Sequence, residues 1–139
     1  MSSYVKQPGD DKASFQGVIE PVAGASTYTT AWIDAKIACN FLAFITAGTV
    51  GTSVDAKIEQ YDGSTTKDIS GLAITQLTAA GSALINVVQG DLDIANDFNQ
   101  IRLSITTVGA STVAGGALIA LDAQYEPLAQ GAKIDEVVS

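Results

Sequence analysis

Val54-Asp-Ala-Lys-Ile-Glu-Gln60 alternates without a break, with Val54, Ala56 and Ile58 set against Asp55, Lys57 and Glu59. Side chains of a strand point to opposite faces in turn, so this period of two gives one apolar and one charged row. The stretch predicts a half-buried β-strand whose charged face lies in solvent. Ile101-Arg-Leu-Ser-Ile105 repeats the pattern, with Arg102 and Ser104 expected outward.

Further strands are expected at Gly17 to Ala23, Thr27 to Ile33, Phe41 to Ala47, Leu72 to Thr78, Ala83 to Gln89 and Gly116 to Tyr125. These stretches are rich in Thr, Val and Ile, which fit a pleated surface. Turn signals separate them: Ala23-Gly-Ala-Ser26, Gly48-Thr-Val-Gly51, Asp62-Gly-Ser64, Ala80-Gly-Ser82, Gly109-Ala-Ser111 and Gly115-Gly116. Asp62-Gly63 is the sharpest, because that dipeptide favours a turn with positive φ. Only Asp34 to Cys39 and Asp91 to Asp97 could hold a helical turn. About eight strands recurring every ~8 to 12 residues predict an all-β antiparallel sandwich, jelly-roll-like, with extended terminal arms. The organisation expected is an N-terminal arm (1–15), a β-sandwich domain (16–127) and a C-terminal tail (128–139).

The 139 residues are 47% hydrophobic and 16% charged, a balance suited to a folded domain rather than a disordered chain. A net charge of −8, with no cluster of Lys or Arg, argues against nucleic acid and anionic membrane surfaces as partners. The first twelve residues hold no apolar run of the secretion type, and Ile37 to Gly51 is too short to span a bilayer. Cys39, the sole cysteine, can form no intramolecular disulfide and is expected as a small buried hydrophobe beside Phe41, Leu42 and Phe44. There is no histidine, which removes Ser-His-Asp and Cys-His catalysis and His-ligated metals.

The remaining chemistry is sparse. Asp91-Leu-Asp-Ile-Ala-Asn-Asp97 places alternate carboxylates as a calcium loop would, but Asn96 and Arg102 stand where an EF-hand needs Gly and Glu. An acidic connection with Asp91 or Asp93 capping a helical turn is the simpler expectation. Gly48-Thr-Val-Gly-Thr-Ser53 lacks the Lys of a phosphate loop. Asp34, Asp55, Glu59 and Asp122 could supply a glycosidase pair only if two met in a cleft. Tyr28, Trp32, Tyr61 and Tyr125 would make a sugar-stacking platform only if they converged on one groove. No catalytic residue, metal ligand or cofactor is therefore assigned.

The termini carry apolar residues in otherwise polar arms: Tyr4, Val5, Phe15, Leu128, Ile134, Val137 and Val138. Frayed ends and arms that order only on a partner both fit that pattern. On the second reading these residues are the partner-binding set.

The order of segments resembles a known group of proteins. Thr27-Tyr-Thr-Thr-Ala-Trp-Ile-Asp34 precedes Phe41-Leu-Ala-Phe-Ile-Thr-Ala-Gly48, followed by Val54 to Gln60, Lys67-Asp-Ile-Ser-Gly71 and Ile74-Thr-Gln-Leu-Thr78. Asp91-Leu-Asp93, Phe98 with Ile101-Arg-Leu103, and Ala123-Gln-Tyr-Glu-Pro127 complete the series. Over residues 27 to 128 the chain resembles the capsid decoration, or cement, proteins of tailed bacteriophages. That resemblance implies a homo-oligomer, dimer or trimer, made in the host cytoplasm. It would bind the phage major capsid protein on the virion exterior without enzymatic activity. A carbohydrate- or receptor-binding module on the virion, and a tail-tube or head-completion protein, are the alternatives.

Overall fold

The computed structural model describes residues 13–123 and 129–136. Nine strands follow one another: β1 (Ala13–Ala23), β2 (Thr27–Thr29), β3 (Ile33–Asp34), β4 (Ala38–Thr49), β5 (Ser53–Tyr61), β6 (Thr66–Ala73), β7 (Gly81–Val88), β8 (Gln100–Val108) and β9 (Val113–Ala123). One sheet has the order β1-β9-β4-β7; the other runs β2-β8-β5-β6, with β3 also on β8. All pairings are antiparallel; β4 pairs β9 and β5 pairs β8 at the sheet centres, and the others nest: β1 with β9, β2 and β3 with β8, β4 with β7, and β5 with β6 innermost. A long hairpin rolled over itself produces this nesting, which makes the sandwich a jelly roll. Counting the interrupted β2 and β3 as one, it has the eight strands expected.

The alternation in β5 works as read: Val54, Ala56 and Ile58 point inward at 0–4% exposure. They meet Ile101, Leu103 and Ile105 of β8 and, across the sandwich, Phe41, Ala43 and Ile45 of β4 with Leu118 of β9. A buried Gln60 closes one end of this core. Its Nε2 donates to Asp68 O at 3.3 Å and its Oε1 accepts from Asp93 N at 2.8 Å, tying the β7–β8 connection to β5. The Asp62-Gly63 turn also forms as expected, with Gly63 at φ +97° and Asp62 Oδ1 accepting from Ser64 N and Thr65 N at 2.8 and 2.6 Å.

Several expectations are corrected. Thr27 to Ile33 is not one strand, because the chain leaves the sheet at Thr30, whose buried hydroxyl accepts from Leu103 N at 3.1 Å. Leu72 to Thr78 is not a strand in its own right: β6 ends at Ala73, and beyond it the backbone bonds back to β5 at Ile74 N and Leu77, with the Gln76 side chain on Asp55. Gly115-Gly116 is no turn but the interior of β9. A Cβ on Gly115 would sit 2.7 Å from Ile19 O, and one on Gly116 would sit 2.5 Å from Phe44 O, so close backbone approach requires both glycines. Cys39 is exposed rather than buried, since Ala38 takes the inward position beside it. β1 begins at Ala13, inside the segment read as an arm. Residues 129–131 follow its edge: Ala129 O accepts from Ser14 Oγ at 2.7 Å, and Gly131 N donates to Phe15 O at 2.7 Å.

Candidate functional site

The register builds two outer faces of opposite chemistry. On β1-β9-β4-β7 it sets out cross-strand rows. Phe15, Ile119, Leu42 and Asn86 form one; Val18, Ala117, Phe44 and Leu84 form the next. Ala13, Leu121, Asn40 and Val88 flank them on one side. On the other side Thr46 and Ser82 share a 3.0 Å hydroxyl hydrogen bond. Leu84 is 60% exposed, Val88 46%, and Phe15 and Phe44 39% each. These rows contain no charged residue; Glu20 stands beyond them on β1, paired with Lys133 at 3.4 Å. Exposed apolar residues grouped in this way and rimmed by polar ones are of the kind found at contact sites.

The outer face of β2-β8-β5-β6 is the charged face expected in solvent; Lys57 and Asp68 are exposed as expected, whereas Glu59, Arg102 and Ser104 are largely covered. Lys57 bridges Asp68 at 2.8 Å and Glu59 at 3.9 Å, and Arg102 Nε donates to Glu59 Oε1 at 2.8 Å. The Arg102 guanidinium lies 4.2 Å from the Trp32 ring centre, and Trp32 stacks on Tyr61 at 4.6 Å. Glu59 keeps only 13% of its side chain exposed, and Ser104 is buried between Thr29 and Lys57. Hydrogen bonding to Asp68 is the largest influence raising the Lys57 ammonium above its ordinary range.

Phe15 lies in the apolar face, whereas Ile134 is half-buried in a turn, its N–H donating to Gly131 O at 3.1 Å. Tyr4, Val5, Leu128, Val137 and Val138 lie outside the described residues. Trp32 and Tyr61 do converge, but on each other and on Arg102, so the indole face is already engaged. Tyr28 instead packs against the core, and Tyr125 lies outside the described residues.

The acidic candidates are spent singly. Asp34 Oδ1 accepts from Lys36 N at 2.9 Å, capping a short 3₁₀ turn, and Asp55 accepts from Gln76 Nε2 at 2.9 Å. Asp91 Oδ2 accepts from Val88 N at 3.0 Å, while Asp93 pairs with Lys67 and accepts from Asn96. The Lys67 hydrogen bond, then that of Asn96, holds the Asp93 carboxyl below the usual carboxylate range. The backbone N–H groups of Thr65 and Ser64 do the same for Asp62. Among the described residues no three His, Cys, Asp or Glu side chains group as a metal site. A surface depression of about 340 Å³ beside Ser104 and Thr106 holds Asp55 as its one acid.

The chain is thus an all-β jelly-roll sandwich with an apolar and a polar outer face. No protein-family model and no curated protein matches it. Among solved structures it is similar to a chain of Broad Bean Stain Virus, at 10% identity and a TM-score of 0.47 over 99% of both chains. It is likewise similar to one of the Cowpea Mosaic Virus empty virus-like particle, at 9% and 0.47 over 97% and 96%. The Yersinia pseudotuberculosis-derived mitogen matches at 11% and 0.35, over 81% of this chain and 98% of that one. The nested strand order by itself defines the jelly roll.

Proposed function

We propose that this chain is a structural virion protein that binds the outside of an assembled phage capsid, as a decoration or cement protein does. The observation that carries the reading is the uncharged apolar face around Phe15, Leu42, Phe44, Leu84 and Val88. Such a face is suited to adhesion, and the chain acts by binding rather than by catalysis. Its partner is the major capsid protein. The net charge of −8 keeps the free subunit soluble and away from packaged DNA. A ligand that binds only the assembled shell stabilises it by mass action, and many copies bridging capsomers make weak contacts sufficient.

Cosedimentation of the purified chain with expanded heads of the virus that encodes it tests this. The expected result is saturable binding and heads that survive a higher temperature. Heads that neither bind the chain nor gain heat resistance would refute it.

A further inference from the structure

Two sheets present four edges, and three of them are guarded. The free side of β1 is covered by residues 129–131, with Gly131 N donating to Phe15 O and Phe15 N to Gln130 Oε1, both at 2.7 Å. β2 and β3 are three and two residues long and separated by the departure at Thr30. β6 carries Lys67 and Asp68, shifts register against β5, and holds Gly71 at φ +81°. These are the devices by which sheets avoid pairing with other chains.

Among the described residues β7 is capped only at its last position, where Asp91 meets Val88. Gly81-Ser-Ala-Leu-Ile-Asn-Val-Val88 contains no charge and no proline, and it pairs with β4 in an unbroken register. Val88 N–H donates to Asp91 Oδ2, so it points away from β4. In an antiparallel ladder that direction recurs at every second residue. The N–H and C=O groups of Ser82, Leu84 and Asn86 therefore face the free edge. Leu84 and Val88, two of the most exposed large hydrophobics, lie on this same strand.

We infer that β7 is a self-association edge, at which a second copy of this chain adds its own β7 antiparallel across a two-fold axis. An edge of unpaired peptide groups takes an extended strand as its occupant. Charge selects which strand. Two copies carrying −8 each repel, and a neutral strand flanked by Asn40, Phe44 and Thr46 lets them meet with a carboxylate, Asp91, only at the strand's end. An antiparallel β7 pair is self-complementary, as a closed two-fold contact requires. It joins two four-stranded sheets into one of eight and sets the two apolar faces side by side. The inference stands whether or not the chain decorates a capsid.

Sedimentation velocity of the full chain between about 1 and 100 µM tests it, with Asn86→Pro and Phe15→Lys as variants. Proline removes an outward N–H that β4 does not use, a position where edge strands tolerate it. Circular dichroism checks that each variant keeps its fold. The expected result is a wild-type dimer, weakened about 30-fold by Asn86→Pro through the loss of two symmetric hydrogen bonds. Phe15→Lys, on the far edge of the same sheet, should leave the dimer intact. Amide exchange should slow on dimerisation at Leu84 and Asn86. A monomer throughout the range, or a dimer lost with Phe15→Lys but kept with Asn86→Pro, overturns the inference; the second outcome would mean that the faces, not the edges, meet.

Discussion

The two outer faces of this sandwich spend their side chains in opposite ways. On β2-β8-β5-β6, Trp32, Tyr61, Arg102, Glu59, Lys57 and Asp68 satisfy one another within the chain. On β1-β9-β4-β7, Phe15, Phe44, Leu84 and Val88 stand exposed and unpaired by any charge. The first face stabilises the fold. The second does little for it, and its apolar area gains most when another surface covers it. An equal change on the two faces should therefore give unequal results.

The largest loss of stability is expected from Trp32→Ala, which removes the stack on Tyr61 and the ring under Arg102. Chemical denaturation should show a cost of about 3 kcal/mol. A cost near zero would mean that the aromatic cluster is held for a ligand instead. Glu59→Ala should follow at about 2 kcal/mol, because it leaves the half-buried Arg102 without its charge-assisted hydrogen bond. An unchanged denaturation midpoint would show that this face is as solvated as its alternation suggested.

Acid should act on the same side of the molecule. Asp93 and Asp62 have folded-state values below the ordinary carboxylate range, so the unfolded chain takes up their protons first as pH falls. The stability they give is complete above about pH 4 and is lost as pH falls through the lower folded values. Amide exchange should loosen first at the β5–β6 turn and at residues 89–97. The apolar rows of the other sheet carry no titrating carboxylate and should keep their protection over that step.

The fold was legible because its signal is local. Alternation in Val54 to Gln60 and Ile101 to Ile105, and a turn at Asp62-Gly63, suffice to predict antiparallel strands. The faces were not legible in the same way. Glu59 meets Arg102, and Trp32 meets Tyr61, through pairings between strands distant in the chain, which composition does not encode. Phe41-Leu-Ala-Phe-Ile45 is apolar on both faces, the pattern of a strand covered on both sides, so the exposure of Phe44 was hidden. The arms drew attention as the partner-binding set. Of that set, Phe15 proved to belong to the sheet, and Ile134 to a segment that follows β1.

Phe44→Lys tests the central claim most directly, since Phe44 lies in the middle of the apolar rows and is already 39% exposed. Its cost in stability should stay below about 1 kcal/mol, the smallest effect foreseen here. Measured by cosedimentation with expanded heads, this variant should lose binding while Glu59→Gln, on the opposite face, retains it. Full binding by Phe44→Lys together with loss by Glu59→Gln would contradict the account and move the contact surface to the other sheet.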